Sequence, residues 1–187
     1  MKQTKDMTLC AFFTVLFIIA SKIVIPVDIL PLTLQTMIVF LSGVLLKPKQ
    51  ILTSYSLFLI MGLLGLPVFA NGGGISYILQ PSFGFLLSFP IAASILSIIR
   101  QKFHLHTTLQ LFPVCMLALF IIYMIGCIYM YGVLNFYMGS NKDFASVLAI
   151  GAVPFIISDS ISAALGCICA LRLINIPIIE RSLSYTD

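Results

Sequence analysis

LQLFPVCMLALFIIYMIGCIYMYGVLNFYM, residues Leu109 to Met138, is a run of thirty residues without one Asp, Glu, Lys or Arg. A bilayer-spanning helix needs about 20 predominantly apolar residues, so this run is long enough to cross a membrane with tilt or to extend beyond it. Five more apolar runs flank it: Met7 to Val27, Leu32 to Leu46, Ile51 to Ala70, Pro81 to Ile99, and Phe144 to Ile179, the last with its span taken as 144–174. The second is short for a span. The whole chain of 187 residues is 60% hydrophobic and 9% charged, with a mean hydropathy of +1.15. Soluble domains average roughly half apolar and a quarter charged. The expected fold is therefore an all-α integral membrane protein, a single transmembrane domain over 1–187 with six spanning helices and no room for a soluble catalytic domain.

Pro26 and Pro31 bracket the first connection, Pro48 the second, and Pro67 and Pro81 the third, while Pro113 and Pro154 fall near later helix starts. Pro90 lies inside the fourth run, where a missing backbone donor predicts a kink. Basic residues set the orientation, because short cytoplasmic loops are enriched in Lys and Arg. With the N-terminus inside, Lys2, Lys5, Lys47, Lys49, Arg100, Lys102, Arg172 and Arg181 are cytoplasmic and only Lys22 and Lys142 are outside. Both termini are thus expected in the cytoplasm of a multi-pass protein of the cell membrane. The net charge of +4 is a topology signal rather than a nucleic-acid footprint. Lys2 and Lys5 before an apolar stretch also resemble a secretory signal, with Ala20 ahead of a cut, but Ile18 is not the small residue such a site needs, and the segment is expected to stay as the first span.

The chemistry-bearing residues exclude several classes. Cys10, Cys115, Cys127, Cys167 and Cys169 all fall in apolar runs and imply no disulfide framework or metal pair. His104 and His106 sit in a basic cytoplasmic connection without a nearby carboxylate. No Gly-x-x-x-x-Gly-Lys-Ser/Thr phosphate cradle exists, no Gly-x-Ser-x-Gly elbow, and no cluster of carboxylates for a divalent metal. An intramembrane enzyme is disfavoured, and neither metal nor cofactor is expected. A purely structural membrane subunit remains a further alternative.

Two segments point to a ligand. Gly65 to Tyr77 contains Asn71-Gly72-Gly73-Gly74, has no charged residue, and runs on into Pro81-Ser82-Phe83-Gly84-Phe85. Three successive glycines deny a regular helix, and non-helical backbone at membrane depth persists only where it is buried in protein or lines a cavity. A flexible loop tip is the plainer reading of the same glycines. Asp159 is the one acidic residue well inside a run. A charge at the bilayer centre costs at least about 2.5–3.5 kcal/mol, so such a residue faces a cavity or a partner. It reads as a ligand contact, or as a cap of a helix restarted after Pro154, with Ser162 one turn on. Ser158, Ser162, Gly166 and Ala170 form a small-residue stripe suited to close helix packing, within the chain or against a partner.

Taken in order, Leu32-Thr33-Leu34-Gln35-Thr36, Gly65-Leu66-Pro67-Val68-Phe69, Gly72-Gly73-Gly74, Pro81 to Phe89, and Pro154-Phe155 with Asp159 resemble the BioY family over about residues 8 to 175. BioY proteins are the biotin-specific substrate-binding (S) components of energy-coupling-factor (ECF) importers. The resemblance implies a six-helix S-component fold, biotin capture from the outer side, a transmembrane T component and a pair of ABC-type ATPases as partners, and no enzymatic activity of the chain itself. The family usually carries a segment like Pro-Phe-Leu-Pro-Gly-Asp-Leu-Ile-Lys; here Ile157, Ser158 and Ser162 stand in place of the second Pro, the Gly and the Lys. An S component for another vitamin or small ring-containing solute is the alternative that this change leaves open. The family's first-helix Ala-x-x-x-Ala pattern appears as Ala11 and Val15. The expected ligand set is Gln35, Asn71, Asp159 and Ser162 for polar groups, Gly72, Gly73 and Gly74 for close backbone approach, and Tyr77, Phe83 and Phe85 for ring packing. Lys22 is the candidate replacement for the missing cation.

Overall fold

The computed structural model describes residues 2–27 and 30–174. Arg181 and the end of the sixth run at Ile179 lie outside the described residues. The elements in order are helix α1 (Lys2–Lys22), strands β1 (Val24–Val27) and β2 (Leu30–Thr33), helices α2 (Gln35–Leu45) and α3 (Pro48–Leu63), a 3-10 turn (Ile75–Leu79), helices α4 (Phe83–Lys102) and α5 (Thr108–Gly132), a π-helical turn (Val133–Tyr137), and helices α6 (Phe144–Gly151) and α7 (Ile156–Ile174). Among the described residues four helical segments are long and apolar enough to cross a bilayer: Thr4–Lys22, Phe83–Lys102, Thr108–Tyr137 and Ile156–Ile174.

Several helices, α2 and α3 among them, are shorter than the apolar runs that hold them, for local reasons. Apolar character does not distinguish buried helix from buried strand over four or five residues. Pro26 and Pro31 lack amide hydrogens and pair with each other across an antiparallel hairpin, with Val24 opposite Thr33. The all-α expectation therefore gains a two-stranded hairpin between α1 and α2. Helix α3 stops at Leu63 because Gly65 takes φ +102°, open to glycine and costly to other residues, and Pro67 follows. The last run divides into α6 and α7, separated by a turn at 152–155 that holds Pro154. Helix α5 starts where Thr107 Oγ1 accepts from the Gln110 amide (3.4 Å) and Gln110 Oε1 accepts from the Thr107 amide (3.3 Å), a reciprocal cap. The chain stays helical through Pro90 and Pro113.

Helix α4 packs on α2 and α5, and α7 closes on α2 and α5. A Cβ at Gly166 would stand 2.7 Å from the Met37 carbonyl oxygen, so the small-residue stripe of α7 serves contact within the chain at that point. Cys115 of α5 meets Cys167 of α7 with 3.1 Å between sulfurs in the buried seam. At one end of the bundle Gln50 Nε2 donates to Asp6 Oδ1 (2.7 Å) and Ser97 Oγ donates to the Leu46 carbonyl (2.6 Å). Lys47, Lys49, Arg100 and Lys102 belong to this end by sequence position. The hairpin, the glycine-rich loop and the first turn of α7 lie at the other.

Candidate functional site

A cavity opens at the end away from the Lys47 turn, walled by β2, the first turn of α2, the glycine-rich loop, α4, α5 and the start of α7. Its polar side is built by three helices. Asp159, only 8% exposed, accepts a hydrogen bond from the Tyr123 hydroxyl of α5 at 2.7 Å. The Thr36 hydroxyl of α2 also faces this carboxylate. Asp159 does not cap α7: its carboxyl takes its hydrogen bonds from Tyr123 and Thr36, and its own amide donates to the carbonyl of Phe155, just ahead of the helix, at 2.8 Å. The carboxyl is thus turned inward, to α5, α2 and the cavity.

Gln35, on the first turn of α2, is 3% exposed and lines the same cavity. Its Oε1 lies 3.5 Å from Thr33 Oγ1, while its Nε2 is buried without a hydrogen-bond partner. A buried, unpaired amide donor costs about 1–3 kcal/mol, so its retention at a cavity wall points to an acceptor supplied from outside the chain. Among the described residues that line the cavity, Asp159 is the one carboxylate, and no Lys, Arg or His is present. The apolar walls come from Leu86 and Phe89 of α4, Ile122 of α5, and Phe85 and Phe155. Phe85 has its place because α5 and α6 offer glycine against it: a Cβ at Gly126 would meet its ring at 2.4 Å, and one at Gly151 at 3.5 Å.

The glycine-rich loop behaves differently from its sequence expectation. Gly72, Gly73 and Gly74 do not line the cavity. A Cβ at Gly73 would fall 2.1 Å from the Leu66 carbonyl oxygen, and Gly72 and Gly74 take φ +114° and +108°. The close approach these glycines permit is to the loop's own backbone: the Gly74 amide donates to the Gly62 carbonyl at 2.7 Å, and Phe69 and Gly72 exchange backbone bonds at 2.9 and 3.2 Å. Asn71 is exposed and off the cavity wall. Its backbone instead bonds the Tyr77 phenol, which also meets Ser82. Burial pushes the Tyr77 phenol above its ordinary value, so it stays protonated at neutral pH.

Phe83 is buried and also off the cavity wall. It belongs to an aromatic chain running Phe17–Tyr55–Phe58–Phe69–Tyr77–Phe83–Tyr129, with successive centroids 4.5–6.4 Å apart. These edge and tilted contacts anchor the loop to the helices. Ser162 is partly buried and does not reach the cavity, since one helical turn carries it below the wall that Asp159 completes. Of the sequence-derived set, the structure brings Gln35, Tyr77, Phe85 and Asp159 together, and leaves Asn71, the three glycines, Phe83 and Ser162 outside the lining. Lys22 is outside it too, with its ammonium donating to the Phe69 carbonyl at 2.6 Å. Sequence reading missed Thr36, Ser82, Phe89 and Tyr123. Thr36 was within reach, being next to Gln35; Tyr123 sits in the charge-free thirty-residue run with nothing local to single it out.

With this geometry in place, similarity to known proteins becomes informative. The chain is 33% identical over 175 residues to a protein of Lysinibacillus sphaericus named probable biotin transporter BioY, covering 94% of this chain and 89% of that one. It is 37% identical over 172 residues to a protein of the same name from Pyrococcus horikoshii, covering 91% and 97%. Its fold superposes with a TM-score of 0.83 on a crystal structure described as the S-component for biotin from an ECF-type ABC transporter, at 26% identity and covering 97% of this chain and 96% of the other. Residues 1–177 match the BioY family as a whole. The chain is a multi-pass membrane protein and belongs to the BioY family.

Proposed function

We propose that this chain captures biotin in the cavity beside Asp159 and acts as the substrate-specific subunit of an ECF-type ABC importer. The observation that carries the reading is an open donor and a held acceptor on one cavity whose other walls are largely aromatic and aliphatic: the unpartnered Gln35 amide and the Asp159 carboxylate held by Tyr123. The fused-ring head of biotin is a cyclic urea, with two N–H donors and one carbonyl acceptor. Asp159 accepts from the N–H groups and Gln35 donates to the carbonyl, while Tyr77, Phe85 and Phe89 pack against the rings. Asn71, Gly72, Gly73, Gly74 and Phe83 then act on the ligand through the shape of the loop, and Ser162 through the seating of α7.

In this reading the chain is one transmembrane unit over 1–187, with six spanning segments, both termini in the cytoplasm and the cavity facing outward. The sorting of Lys47, Lys49, Arg100 and Lys102 to the end opposite the cavity supports that orientation. The ligand is cargo rather than a cofactor, and the chain is not an enzyme. Lacking a nucleotide-binding motif of its own, it draws on a transmembrane T component and a pair of ABC-type ATPases for energy.

Titration of the purified protein with biotin by isothermal calorimetry tests the capture step, with a panel of other ring-containing vitamins as competitors. Saturable one-to-one binding of biotin that the panel does not displace is expected. Binding of another vitamin in preference to biotin would reassign the substrate, and failure of every member would remove the transport reading from this cavity.

A further inference from the structure

Lys22 lies beside the cavity by two independent routes through the chain. Its ammonium donates to the carbonyl of Phe69, whose neighbour Ala70 lines the cavity. Two residues on, Val24 pairs in β-register with Thr33, which also lines the cavity. The side chain is exposed, at the C-terminal end of α1, where it is a cation at the rim rather than in the wall.

The interior of the cavity has the opposite character. Its polar end carries Asp159 and, among the lining residues, no cation accompanies it. A ligand carboxylate placed there would lie against the Asp159 carboxyl with no cation to offset it, in a poorly solvated space where an unpaired charge is costly. A ligand with a neutral polar head and an anionic tail therefore enters head first, with its tail directed to the rim.

Resting on the biotin reading above, we infer that Lys22 is the specificity-determining residue for the ligand's carboxylate, and reads it at the rim of the cavity. An ammonium has three donors. One is on the Phe69 carbonyl, and the others are available to a carboxylate without releasing the loop. The same residue thus joins α1, the glycine-rich loop and the anionic tail. Recognition is divided: the interior selects the neutral ring head, and a single cation at the mouth selects the acid over its neutral derivatives.

The experiment compares biotin with its uncharged primary amide on wild type, Lys22→Gln, Lys22→Arg and, as a control remote from the cavity wall, Lys142→Gln. Affinities are measured by calorimetry at low and high salt. Wild type is expected to prefer the acid, and Lys22→Gln to weaken acid binding about fivefold while leaving amide binding unchanged. Lys22→Arg should retain the preference, high salt should reduce it, and Lys142→Gln should match wild type. Unchanged amide binding by Lys22→Gln also reports an intact pocket. Equal weakening of both ligands would reduce Lys22 to a latch on Phe69 and overturn the inference, as would no weakening of either. Failure of wild type to bind both ligands would instead overturn the biotin reading itself, and this inference with it.

Discussion

The glycine-rich loop and the helical wall opposite it both border the cavity, yet they are built on different physics. The loop from Gly65 to Gln80 holds its shape by backbone hydrogen bonds and glycine conformations, and it gives the cavity only Ala70 and Tyr77 as lining. The wall formed by α2, α5 and α7 is rigid helix, and it supplies Gln35, Thr36, Tyr123 and Asp159. In the proposed reading, polar recognition sits on packed helices, where rotamers and distances are held from several sides, and the loop adds Tyr77 and the closure of the cavity. Substitutions in the wall should change which ligand binds and how tightly. Those in the loop should change whether the cavity closes.

The largest effect is expected from Asp159→Ala. Loss of the carboxyl acceptor at the polar side should weaken biotin binding by about 2–3 kcal/mol, on the order of a hundredfold in Kd. Thermal unfolding of the ligand-free variant would check that the fold persists. Affinity equal to wild type would remove Asp159 from recognition and with it the contrast between wall and loop.

Gly73→Ala tests the loop side. The added methyl has no space against the Leu66 carbonyl, so the turn must deform, at a cost of about 1–3 kcal/mol in the stability of the closed loop. Hydrogen exchange over residues 66–80 should speed up, while the ligand preference order stays as in wild type. A changed preference order would mean that the glycines themselves take part in selection.

Gln35→Met should separate stability from binding. Removing an unpartnered buried amide should raise the thermal stability of the free protein, by about 1 kcal/mol, and weaken biotin binding by a similar amount, about fivefold. Equal losses of both would show that the amide is already satisfied within the protein. The smallest effect is expected for Ser162→Ala, within about twofold of wild type in calorimetric Kd, because the side chain lies off the cavity wall. A tenfold loss there would extend the polar site one turn down α7.

Much of this was readable from residue order. Runs of apolar residues, their lengths and the distribution of Lys and Arg carry the membrane class because bilayer thickness and charge exclusion act on local sequence. A buried Asp inside a run declares itself for the same reason. Asp159 was identified in this way and Gln35 through the family resemblance, and both line the cavity. The hairpin at Val24–Thr33 escaped, since its apolar residues suit either a strand or a helix end and its pairing is a non-local choice. Tyr123 escaped because it becomes special only when α7 turns Asp159 toward it, 36 residues away.

Hydropathy and composition suffice for the membrane class, the loop and the lone intramembrane acid, because each follows from the solvation of single residues and short segments. What awaited the folded chain is the division of labour around the cavity: the glycines turned on their own backbone, Phe83 in an aromatic chain, and Gln35 at the wall with an open donor. Those outcomes depend on which surfaces meet, and close approach between distant segments is a property of packing that no local pattern encodes.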